Sequence, residues 1–193
     1  GGAGAASILQ LGSPFGYGPL RQHLLRESAR EGVAGESDDI LITSDCQQAF
    51  DLIQRVLTRQ GTAAIIEDPV YHGVRQVFSR DGVRLIGISM GRDGLPIEDL
   101  ARMIAEIRPA VLVVTPTFQN PTGATMSVDA RKHVLALAER FNVIIIENDI
   151  YGTLRYEGEA LPTLKEHDTS GNVILFRSFS KVAFPGLRVG WVV

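Results

Sequence analysis

A primary amine, two hydroxyls and a guanidinium fall within eleven residues near the carboxyl end of the chain, as Ser178, Ser180, Lys181 and Arg188 of "RSFSKVAFPGLRVGW" (177–191). A lysine amine can form a Schiff base with an aldehyde, covalent chemistry reserved to primary amines. Serine hydroxyls and a planar guanidinium fork are donors suited to a phosphate dianion. Between them Pro185-Gly186 turns the chain sharply, so that lysine and arginine can approach one ligand from different directions. A lysine near a strand end is otherwise usually a solvated surface group, and it is the company of these donors that singles out Lys181. Three further stretches concentrate polar groups: "TSDCQQ" (43–48), "TPTFQNPTG" (115–123) and "ENDIY" (147–151).

The elements that must position these groups are legible from hydrophobic pattern. Short apolar runs at 40–43, 63–67, 84–89, 110–115, 143–148, 173–177 and 188–193 read as seven strands. Several are apolar at every position, the signature of a parallel sheet covered on both faces. Segments 19–31, 46–59, 72–80, 96–107 and 127–140 carry apolar residues at helical spacing, as in Leu135, Ala138 and Phe141, and read as crossover helices. The expected fold class is α/β, a three-layer α/β/α arrangement around a mainly parallel seven-stranded sheet. In such sheets ligands bind beyond the carboxyl ends of the strands, which is where all four polar stretches fall.

Composition narrows the function classes. The 193 residues suffice for one sizeable domain, and 45% of them are hydrophobic. A net charge of −3 supplies no electrostatic footprint for nucleic acid, so no nucleic-acid contact is expected from this domain itself. Cys46 is the single cysteine, which rules out an intrachain disulfide and suits a reducing, cytoplasmic compartment. No apolar run reaches membrane-span length, so no membrane role is expected. His23, His72, His133 and His167 lack metal-ligand spacing, and no metal is expected. Residues 1–8, rich in glycine and alanine, read as a linker or a remnant of cloning ahead of a domain spanning 9–193.

"FQNPTG", "ENDIYGTLRYEG" and "SFSKVAFPGLRVGW" together resemble the class I/II aminotransferase superfamily of fold-type I pyridoxal-phosphate enzymes. Within it, "IEDPVYHGVRQVF" and "ENDIYGTLRYEGEALPTL" look most like the aminotransferase-like domain of MocR/GntR-type transcriptional regulators. The resemblance implies pyridoxal 5′-phosphate as cofactor, with Lys181 forming the internal aldimine. It implies that Ser178, Ser180 and Arg188 hold the phosphate together with the helix start at Cys46 and Gln47. Asn120 and Tyr151 would reach the ring oxygen O3′, and Tyr71 would stack on the pyridine. The pyridine nitrogen has two candidate partners: Asn148, which has the family spacing from Tyr151, and Asp149, which has the acid chemistry but points to the opposite side of a regular strand.

Three departures accompany the resemblance. Asp45 stands where family members usually carry glycine, which sets a carboxylate close to a bound dianion, and Asn148 stands at the acid's spacing. Leu11 replaces a tyrosine that in relatives reaches across a dimer to the neighbour's phosphate. Complete members continue into a C-terminal small domain, which this chain is expected to lack. The implied function is transamination chemistry exchanging an amino acid or amine with a keto acid, in a homodimer. The alternatives are an effector-sensing domain of a MocR/GntR-type regulator without net turnover, or a scaffold that uses the fold only to dimerise.

Overall fold

The computed structural model describes residues 12–80, 82–91 and 94–193, so the expectations concerning 1–8 and Leu11 lie outside it. A seven-stranded sheet forms the centre, with β1 (Leu41–Thr43), β2 (Ala63–Asp68), β3 (Arg84–Ser89), β4 (Val111–Val114), β5 (Ile144–Asn148), β6 (Val173–Ser178) and β7 (Gly190–Val192). Their spatial order is β1-β7-β6-β5-β4-β2-β3. The pairs among β2 to β6 are parallel, whereas β7 runs antiparallel to both of its neighbours, β1 and β6.

Strand alternation sorts the apolar side chains into two cores. Ala64, Ile66, Val111, Val113 and Ile146 face the helices α2 (Asp45–Leu57) and α3 (His72–Phe78), meeting Phe50, Val77 and Phe78. Their neighbours Ile65, Leu112, Val114 and Ile145 face α4 (Ile97–Ile107) and α5 (Val128–Phe141), meeting Leu100, Ile104, Val134 and Ala138. Burial on both faces explains why these runs read as uniformly apolar. Each buried Val, Leu or Ile contributes about 1.5–3 kcal/mol, so the central strands are the stiffest support available for a site at their ends. A smaller core joins α1 (Gly18–Arg30), through Leu24, to Leu175, Trp191 and Val193.

Differences from the sequence reading lie at the element ends. The last strand begins at Gly190 and not at 188, because Arg188 sits at φ 52 in the left-handed region, which no strand accommodates. A four-residue helix, α6 (Leu164–His167), was not foreseen. Thr163 and Glu166 close a reciprocal capping box around its first turn, a Thr-x-x-Glu signal present in the sequence.

Candidate active site

Because β4, β5 and β6 are parallel, the segments that leave them emerge at one edge of the sheet. There they enclose a cavity of about 160 Å3 with the starts of α2 and α3. Lys181 lines it from the turn after β6, and has no ion-pair partner among the described residues. Asn120, Tyr151, Tyr71 and Asn148 line the same cavity, as do Cys46, Ser180 and Arg188.

The start of α2 is seated by a close approach. A side chain at Gly190 of β7 would come within 3.0 Å of the Asp45 backbone and 3.1 Å of Phe176, so only glycine lets the helix end settle on the strand. Asp45 itself has φ 64, a conformation unusual for any residue but glycine, and is only 2% exposed. Its carboxylate accepts hydrogen bonds from Ser178 Oγ at 2.6 Å, from the Cys46 N–H at 2.8 Å and from Ser180 Oγ. Arg188 Nη1 stands 2.5 Å away from it. Burial pushes this carboxyl upward, but the Ser178, Ser180 and Cys46 hydrogen bonds and the Arg188 charge outweigh burial and hold it below the usual aspartate range. The same burial, with the Asp45 charge beside it, pushes the Cys46 thiol up to about 11, so Cys46 is protonated at neutral pH and is no nucleophile.

Asn120 Nδ2 donates to the Tyr151 hydroxyl at 2.9 Å, which fixes two of the candidate groups against each other. Tyr71 caps α3 and folds its ring over Gly73, where a Cβ would lie 2.4 Å from the ring. Burial, followed by the neighbouring Cys46 and Tyr151, raises its phenol above the ordinary value. Gln47 does not line the cavity: its amide donates to the Gly73 carbonyl at 3.2 Å, bracing the turn that carries Tyr71.

The two candidates for the ring nitrogen separate cleanly. Asp149 N donates to the Phe176 carbonyl at 2.9 Å, so the strand stays regular through this point and successive side chains take opposite sides. Asn148 faces the cavity, while Asp149 turns away and accepts from Arg177 Nε at 2.8 Å. The expectation that favoured Asp149 on its acidity is therefore corrected in placement: the structure brings Asn148, not Asp149, to the other site residues. Asn148 is 4% exposed, with Nδ2 3.3 Å from Thr115 Oγ1 and Oδ1 without a partner among the described residues.

The frame behind these groups was not found from sequence. Glu67, at the end of β2, accepts from the Thr115 N–H at 3.0 Å and from Gln119 Nε2 at 3.1 Å. Gln119 in turn accepts from the Thr122 hydroxyl at 2.7 Å, so the Asn120 loop is strapped at both ends. Arg131, fully buried in α5, donates to the carbonyls of Met126, Pro116 and Pro162 and to Thr117 Oγ1. A carboxylate ending the apolar run "AAIIE" and an arginine on the inward face of a helix were the available signals.

Convergent donors that already hold an anion, an amine without a carboxylate partner and a buried amide oxygen without a donor fit pyridoxal phosphate, with Asp45 in the anion's place. The mixed seven-stranded sheet, covered by helices on both faces, has the fold of solved aminotransferases. The chain belongs to the aminotransferase class I and II family, whose model matches residues 6–193. It is 37% identical to aromatic-amino-acid aminotransferase 1 of Thermococcus litoralis, over 97% of this chain and 46% of that protein. It is also 37% identical to an uncharacterised HTH-type transcriptional regulator of Bacillus subtilis, YdfD, over 93% of this chain and 37% of that one. The kynurenine aminotransferase of Pyrococcus horikoshii, solved with PMP, superposes with a TM-score of 0.93 at 37% identity, covering 97% of this chain and 48% of its own. The chain thus spans less than half the length of these relatives. Among the described residues no helix is long and apolar enough to cross a membrane.

Proposed function

We propose that this chain is the pyridoxal-phosphate-binding large domain of an aminotransferase-type protein, with Lys181 as the point of covalent attachment. The observation that carries this reading is the gathering of Lys181, Asn120, Tyr151, Tyr71 and Asn148 around one cavity at the carboxyl edge of the sheet. Pyridoxal phosphate, when bound, supplies an aldehyde for attachment to an amine and a ring that withdraws electrons from a substrate's α-carbon. Ser178, Ser180, Arg188 and the start of α2 bind the phosphate. The Asn120–Tyr151 pair orients the ring oxygen, and Tyr71 covers the ring face. Lys181 Nζ, when free of its covalent bond, is the base that carries the substrate's α-proton. An amino acid or amine and a keto acid are the substrates this chemistry serves, in a cytoplasmic homodimer.

Asn148 supports a second reading. A neutral amide accepts a hydrogen bond from a protonated pyridine nitrogen but does not stabilise its charge as a carboxylate does, which weakens the ring's pull on electrons. Binding and exchange of an amino acid without net turnover, as in an effector-sensing regulator domain, suits such a site. The kinship to YdfD adds to it.

Titration of the full chain with pyridoxal phosphate tests the proposal. An absorbance band at longer wavelength than the free aldehyde's is expected, together with a borohydride-reduced adduct on Lys181, both lost in Lys181→Ala. Absence of any adduct at Lys181 overturns the reading. Keto-acid formation from a panel of amino acids then separates enzyme from sensor.

A further inference from the structure

We infer that Asp45 sets the ligand preference of this site: its carboxylate fills the anion subsite from within, so that a ligand phosphate must displace it and the site distinguishes only weakly between phosphorylated and unphosphorylated pyridoxal. The inference rests on the proposed pyridoxal site and concerns which form of that ligand it favours.

Four of the donors suited to a phosphate in this corner are already engaged by one group. Ser178 Oγ, Ser180 Oγ, the Cys46 N–H and Arg188 Nη1 all point at the two oxygens of one carboxylate. At 2% exposure Asp45 is an interior group held from several sides, unlike surface pairs such as Arg30–Glu27 and Arg102–Asp99. The backbone cannot easily yield. Residue 45 rests against β7 at Gly190, where a Cβ would come within 3.0 Å of it, so displacement has to come from rotation of the side chain.

Charge counting points the same way. Among the described residues Arg188 is the one cation in contact with Asp45, and the Ser178, Ser180 and Cys46 donors are neutral. A phosphate dianion entering beside an unmoved Asp45 would bring three negative charges against one guanidinium, which is repulsive at contact distance. A carboxylate that rotates away forfeits all four of its donors. Either route cancels much of what the phosphate would add. The remaining cavity, lined by Lys181, Asn120, Tyr151, Tyr71 and Asn148, contacts the ring and aldehyde and is indifferent to the phosphate.

The test compares pyridoxal phosphate with pyridoxal on the full chain, by absorbance titration and by the mass of the borohydride-reduced adduct. The wild-type chain is expected to bind the two with affinities within about tenfold of each other. Asp45→Asn keeps a residue tolerant of positive φ and removes the charge, and Asp45→Gly empties the subsite. Both should tighten pyridoxal phosphate by about ten- to a hundredfold, the size of one charge-assisted hydrogen bond, and leave pyridoxal nearly unchanged. Inorganic phosphate should raise the melting temperature of Asp45→Gly more than that of wild type, a readout independent of Lys181. If wild type strongly prefers the phosphorylated form and neither substitution alters that preference, the inference falls while the proposed function stands. If neither aldehyde attaches to Lys181 in any variant, the proposed function falls and takes the inference with it.

Discussion

Two buried carboxylates at the same sheet edge are held in opposite ways. Asp45 is met by a guanidinium, two hydroxyls and a backbone N–H, and is kept ionised below its usual range. Glu67 is met by a backbone N–H and a side-chain amide, both neutral, and burial pushes it up to about 7. Glu147 resembles Glu67: it accepts the Leu164 and Lys165 N–H groups at the start of α6 and is likewise pushed up to about 7. At Asp45 three neutral hydrogen bonds and the Arg188 guanidinium together outweigh burial, so this acid behaves as an ionic anchor. A buried acid surrounded by dipoles sits near its own titration point and serves as part of the frame.

That contrast can be broken most severely through the frame. Arg131→Ala would strand three carbonyls and the Thr117 hydroxyl, and should cost about 3–5 kcal/mol by chemical denaturation, with loosening of the Asn120 loop visible by hydrogen exchange. The pH profile comes next. Glu67 and Glu147 have folded values above the ordinary glutamate value of 4.5, so their contribution to stability is complete below about 4.5 and is lost as pH rises through about 7, each by on the order of 3 kcal/mol. Asp45 has the reverse sign, contributing above 3.8 and losing its contribution as pH falls through its lowered value. Denaturation at pH 5 and pH 8 should show the loss, and Glu67→Gln should remove its share.

Smaller effects sharpen the comparison. Asn148→Asp introduces an ionisable group where the cavity has only an amide, and should raise any transaminase turnover by about tenfold, read as a kcat change in the loaded protein. Ser180→Ala removes one of the neutral donors to Asp45 and should cost about 1 kcal/mol, with the loss confined to pH values at which Asp45 is ionised.

Much of the arrangement was legible because it depends on local pattern. The uniformly apolar runs 63–67, 110–115 and 143–148 announced strands buried on both faces, and the polar residues after them announced the edge that holds the site. Lys181, Asn120, Tyr151 and Tyr71 followed from motif resemblance, and all four line one cavity. What escaped depends on contacts between distant segments. Glu67 and Gln119 are 52 residues apart, and nothing local marks either as the other's partner. The choice between Asn148 and Asp149 turned on whether β5 stays regular through its last residue, which the pairing with β6 decides. Asp45 stood out as a departure from the family, but its role as holder of four donors emerges only once the segment after β6 and the segment before β7 are folded against it.

The antiparallel placement of β7 bears on how the site is assembled in time. In the sheet β1 pairs with β7 alone, and β7 alone separates it from β6. The start of α2, which follows β1, therefore cannot meet Ser178 and Arg188 until residues 190–192 have slotted between two strands made some 130 residues apart in synthesis. A ribosome-bound chain stalled before that strand should hold a formed parallel sheet and no seat for an anion, so it is the arrival of β7 that completes the seat.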